Sequence, residues 1–161
     1  MRVDTLKRAP RGVTLVEMVV VIAIVGLIAG LTLPTVWSGI DSLRLNQATH
    51  ELVSLFNDGL NRAERRQQVV AVTISKSERA AWLESSEPGF RKKVVLPAGI
   101  SIARVLPELP DDEGGPRQFI LYPGGVVPRV GVELVNERQV HRLVQVDPIT
   151  GVPQVEEVAQ K

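Results

Sequence analysis

The stretch Val13–Trp37 constrains this chain more than any other: twenty-five residues carry a single charge, Glu17. From Met18 to Leu33 only Thr32 is polar. As a helix rising about 1.5 Å per residue, the stretch spans roughly 37 Å, enough to cross the hydrocarbon core of a bilayer. A carboxylate at membrane depth costs roughly 2.5–3.5 kcal/mol on insertion scales. Glu17 therefore needs a cation at the same depth, and the sequence must say where that cation comes from.

The twelve preceding residues carry Arg2, Lys7, Arg8 and Arg11 against Asp4, a net charge of +3. Positive charge on this side holds the N-terminus in the cytoplasm and sends the C-terminal bulk across the membrane. A secretory signal peptide would show a shorter apolar stretch followed by a small-residue cleavage site. Here the run is longer, and "TLPTVWSGIDSLRLNQ" continues into an amphipathic pattern. A cut between Gly12 and Val13 would place a new α-amino group four residues before Glu17. Residues i and i+4 share a helix face, so an internal pair is possible. A pair between neighbouring subunits would make assembly depend on both groups, since breaking a buried pair costs about 3–5 kcal/mol.

The segment "RGVTLVEMVVVIAIVGLIAGLTLP" resembles the processing site of type IV pilins and type II secretion pseudopilins. Gly12, Val13, Thr14, Leu15 and Glu17 fill the family's positions: leader glycine, first mature residue, Thr-Leu, and the glutamate at the fifth mature position. Val13 stands where the family usually has Phe or Met. The resemblance implies cleavage after Gly12 by prepilin peptidase, N-methylation of Val13, and an assembly role for Glu17. A plain signal anchor with an accidental glutamate is the alternative. Pro34 has two readings: a kink that lets subunits pack in a filament, or the periplasmic end of the span.

Beyond Pro34 the period stays helical. Leu45, Ala48, Leu52, Leu55, Phe56, Leu60 and Ala63 fall on one face, with Arg44, Asn46, Glu51, Asn57, Asp58 and Arg62 opposite. Arg65 and Arg66 suit a helix C-terminus. A heptad coiled coil is disfavoured because the stripe covers under three heptads. From Val69 onward the pattern turns to short β-type runs: 69–75, 91–97, 100–106, 119–122, 130–135, 140–146 and 152–158, the last three reading as a meander. Pro-Ala-Gly, Pro-Gly-Gly, 136–139 and 150–151 supply turns. The organisation expected is a leader 1–12, a transmembrane helix 13–37, an amphipathic helix 38–68 and a β-rich periplasmic head 69–161. The class expected is α+β, a long N-terminal helix packed on an antiparallel sheet. "FILYPGGVVPRVGVELV" and "HRLVQVDPITGVPQV" also resemble the layout of the GspH/FimT-type head. That resemblance implies a minor pseudopilin of type II secretion, H-like, with a minor pilin of a type IV pilus or a DNA-uptake pilin as alternatives. The calcium loop of the major pseudopilin is not found.

Little else in the sequence carries chemistry. Asp111, Asp112 and Glu113 lack the alternating spacing a calcium loop requires and read as a solvated loop. His50 and His141, 91 positions apart, have no ligand pattern around them, so no metal is expected. There is no cysteine, no G-x-S-x-G elbow and no Gly-rich phosphate loop. No cofactor and no catalysis are expected. The chain has 19 basic and 18 acidic residues, and without the first twelve it has 15 and 17, which does not favour nucleic acid as a partner. "RKK" (91–93) and "RAERR" (62–66) read as solvated faces. Some FimT-like pilins bind DNA through a C-terminal Gly-Arg-x-Arg turn. Here that turn reads "TGVPQVEE", with Glu156 and Glu157 where cations would serve. The partners expected are other pseudopilins, prepilin peptidase, the inner membrane and exported cargo.

Overall fold

The computed structural model describes residues 12–87, 89–109 and 114–158, and of 31–38 the backbone alone. One helix, α1 (Leu15–Arg66), precedes eight strands: β1 (Val70–Ser75), β2 (Ala80–Ser85), β3 (Arg91–Val95), β4 (Ile100–Leu106), β5 (Arg117–Leu121), β6 (Gly131–Asn136), β7 (His141–Val146) and β8 (Pro153–Val158). The chain divides into two compact units at Ser38/Gly39. The kink expected at Pro34 concerns a side chain outside those described.

The second unit is an α+β head. The amphipathic part of α1 buries Leu45, Ala48, Leu52, Leu55, Phe56 and Ala63, while Leu60 is only half-buried at the margin. The helix ends in a Schellman-type cap: Gln67 adopts φ 53°, and the Gln68 N–H donates to the Ala63 carbonyl at 3.3 Å. Gly59 sits mid-helix, where glycine costs roughly 1 kcal/mol relative to alanine. A Cβ there would meet Leu121 Cδ1 and Leu83 Cδ2 at 3.1 Å each, so the glycine lets helix and strands approach closely.

The strands form two four-stranded antiparallel sheets, ordered β3-β2-β1-β5 and β4-β6-β7-β8, rather than the single sheet expected. The reason lies between β3 and β4. Pro97 has no N–H for a ladder, and Gly99 turns the backbone at φ 83°, so β4 starts in the second sheet. Inward residues of both sheets (Val70, Val72, Ile74 and Leu83; Ile102, Val132, Leu134 and Val144) join the helical stripe in one core. A bulge between Ile102 and Arg104 shifts the β4 register, which keeps Val105 inward and turns Arg104 outward onto Glu133. The last three strands make the expected meander. Strand β2, "AAWLES", was not among the runs read from sequence. Alanine and glutamate are weak strand formers, and pairing with β1 on one side and β3 on the other overrides that weakness.

Candidate functional site: the N-terminal segment

Gly12, Val13 and Thr14 precede the helix in irregular, exposed backbone. Thr14 is the N-cap. Its Oγ1 accepts the Glu17 N–H at 3.2 Å, and its carbonyl accepts the Met18 N–H at 3.2 Å. Glu17 thus occupies the third helical position, and Thr-x-x-Glu before an apolar run is the capping-box spacing. The sequence reading assigned Glu17 to assembly and missed its place in the cap, although that spacing signals it. A carboxylate in the first turn also complements the positive end of the helix dipole.

The described part of the helix before Gly30 presents its apolar side chains outward. Twelve large apolar side chains from Val13 to Ile28 are 49–80% exposed. Apolar surface in water costs roughly 25 cal/mol per Å², so this segment needs lipid or other apolar helices around it. Among the described residues no helix is long and apolar enough to cross a membrane; the described side chains of the apolar run stop at Gly30.

Residues 7–33 match the family model described as the prokaryotic N-terminal methylation motif. This is a prepilin-type N-terminus. In this segment the chain is similar to type IV pilin-like subunits. The motif fits processing by prepilin peptidase and assembly with other pilin-like subunits. No curated protein and no solved structure matches the chain. The prepilin-type segment places Gly12, Val13 and Glu17 within six residues of one another at the start of α1, and Pro34 lies just past its end.

Among the described residues no cluster of His, Asp or Glu could hold a metal. Asp111–Glu113 lie outside the described residues. His50 is exposed on α1, and His141 is on β7 with its Nδ1 2.7 Å from Glu133 Oε1. Each cation of the "RKK" run has an acid: Arg91 with Glu84 at 3.4 Å, Lys92 with Asp58, and Lys93 with Glu78 at 2.7 Å. That pairing removes the free positive charge a phosphate backbone would require. From "RAERR", Arg62 pairs with Glu87 at 2.5 Å and stacks 3.5 Å over Phe90. Glu156 is exposed and Glu157 pairs with Arg142 at 3.1 Å, so the final turn carries no net cation.

One charged group in the head is nearly sealed. The Glu133 side chain is 5% exposed, hydrogen-bonded by Arg104 from β4 and by His141 from β7. Burial pushes its carboxyl up, but the hydrogen bonds from Arg104 and His141 together outweigh this and hold it below the usual glutamate range. The same bond, seconded by Glu108, raises the Arg104 guanidinium. The Glu133 carboxylate is bonded from both neighbouring strands, which makes the set a structural clasp across the β4-β6-β7 ladder.

Proposed function

We propose that the chain is a minor pseudopilin of a type II secretion system, H-like, acting near the tip of a short periplasmic filament in the export of folded proteins. On this reading it is inserted in the inner membrane as a single-pass protein with its leader in the cytoplasm. It is cut after Gly12, methylated on Val13, and joined to sibling subunits through a pair between Glu17 and a neighbour's terminal amine. The 13–37 segment supplies the membrane stem, Pro34 its kink, and residues 38–161 the head with exported cargo among its contacts. The observation that carries the reading is the bare apolar helix with one carboxylate in its first turn, directly behind Gly12–Val13. The layout of the β5 turn and the β7–β8 hairpin supports the H-like assignment. Mass spectrometry of the protein from its native host tests it. A mature chain beginning at methylated Val13 is expected, and a chain still beginning at Met1 with the peptidase active overturns it. Loss of secretion with pili unaffected in a deletion strain separates this role from that of a pilus subunit.

A further inference from the structure

A protease cuts backbone that it can reach and hold extended. A helix denies it that, because each carbonyl of a wound turn is already bonded to the N–H four residues on. The Gly12–Val13 bond lies just before α1, so the point at which the helix starts decides whether that bond is open. Three observations put it in the open state. Gly12, Val13 and Thr14 are irregular and exposed, Val13 at 61%. A Cβ built on Gly12 would meet nothing within 4 Å. Among the described residues, neither the Gly12 nor the Val13 carbonyl accepts a backbone N–H.

Thr14 explains that state. Were the helix to continue upstream, the Glu17 N–H would bond to the Val13 carbonyl. It bonds instead to Thr14 Oγ1, at 3.2 Å. The hydroxyl stands in for the Val13 carbonyl, and the ladder begins one residue later, with the Met18 N–H on the Thr14 carbonyl at 3.2 Å. Without that hydroxyl, the Glu17 N–H regains a backbone partner only if the helix winds back. Glycine is an acceptable N-cap, so Gly12 can take over the position. Val13 is then the first helical residue, and the Val16 N–H holds the Gly12 carbonyl.

We infer that Thr14 is a positioning residue for maturation: its hydroxyl keeps the helix start downstream of the Gly12–Val13 bond and so presents that bond, unwound, to the peptidase. This rests on the proposed cleavage after Gly12. In that step water adds to the Gly12 carbonyl carbon and the bond to the Val13 nitrogen breaks. Gly12 keeps the carboxylate, and both protons of the water end on the Val13 nitrogen, which leaves as an ammonium group. The carbonyl oxygen must be free to accept donors of the peptidase as charge builds on it, and a helical bond from Val16 removes that freedom. Thr14 touches no reacting atom. It sets the fraction of chains in the cleavable form, and the rate follows that fraction when winding is fast relative to cleavage.

The test uses the full-length precursor in detergent with the prepilin peptidase of its native host. Thr14→Val keeps the shape and removes the acceptor. Thr14→Ser and Thr14→Asn change the shape and keep an acceptor. Losing a cap shifts the equilibrium at a helix start about fivefold, so Thr14→Val is expected to be cut about fivefold more slowly. The Ser and Asn variants are expected to be cut at the wild-type rate. Amide hydrogen exchange supplies a readout that recognition of the side chain by the peptidase does not move: the Val16 N–H is expected to become protected in Thr14→Val alone. Wild-type cutting of Thr14→Val overturns the inference. So does slow cutting of Thr14→Asn, which means that the peptidase reads the hydroxyl itself, and so does a Val16 N–H left unprotected in Thr14→Val. In each of these cases a wild-type chain cut after Gly12 leaves the processing reading standing. A wild-type chain left uncut by an active peptidase overturns that reading, and this inference with it.

Discussion

At the scale of single residues, two side chains sit where physical chemistry makes a definite forecast. Gln67 holds a left-handed conformation that glycine adopts without penalty. Gln67→Gly is expected to stabilise the head by roughly 0.5–1 kcal/mol, read as a higher denaturant midpoint at unchanged slope. Glu133 gives a pH dependence with a fixed sign. Its carboxyl is held below the usual range, by Arg104 and His141 against burial. The stability it contributes is therefore fully present above the unfolded glutamate value, about 4.3, and is lost as pH falls below it. Glu133→Gln should lower stability at neutral pH by about 1–3 kcal/mol and flatten the acid limb of the stability profile. Half of Arg104 remains in water, which keeps the loss below that of a fully sealed pair.

At the scale of elements, the contact between α1 and the strands rests on Gly59. A larger residue there meets Leu121 and Leu83 at once. Gly59→Leu is expected to cost more than about 2 kcal/mol through overpacking, and Phe56→Ala about 3–5 kcal/mol through the cavity it leaves; chemical denaturation of the head measures both. The helix and its buried stripe were legible from the spacing of Leu45, Leu52, Leu55 and Phe56, because a 3.6-residue period is written directly in apolar positions. Seven of the strands were visible for a similar reason, through β-branched runs between turn residues. Strand β2 was not, because Ala80, Ala81 and Glu84 owe their extended form to two neighbours far along the chain. The division into two sheets was hidden too, since it is decided by Pro97 and Gly99 acting with the β4 bulge rather than by any run of residues. At the N-terminus the processing pattern stood out on Gly12, Val13 and Glu17, whereas the capping role of Thr14 is a three-residue spacing overshadowed by the apolar run after it.

At the scale of the whole molecule, the two units face different solvents in the proposed role: the head is closed around one core, and the stem's described large apolar side chains are exposed. Function then depends on events at the stem that leave the head unchanged. Gly12→Leu is expected to abolish cleavage and trap a full-length form in the membrane fraction, visible as a slower band on a gel. Glu17→Ala should preserve insertion and cleavage but reduce crosslinking to sibling subunits, by the factor that losing a buried pair implies, about tenfold or more. Equal co-assembly of wild type and Glu17→Ala would remove the pairing role. Both positions belong to the first unit, so the melting temperature of the head should be the same in all three chains.

The described groups that start the helix, the Thr14 hydroxyl and carbonyl, lie downstream of the Gly12–Val13 bond. In the proposed role, a cut at that bond keeps them on the product. It adds a charged amine at Val13, one residue before the cap, so the anchor of the first turn and the new cation share one short segment.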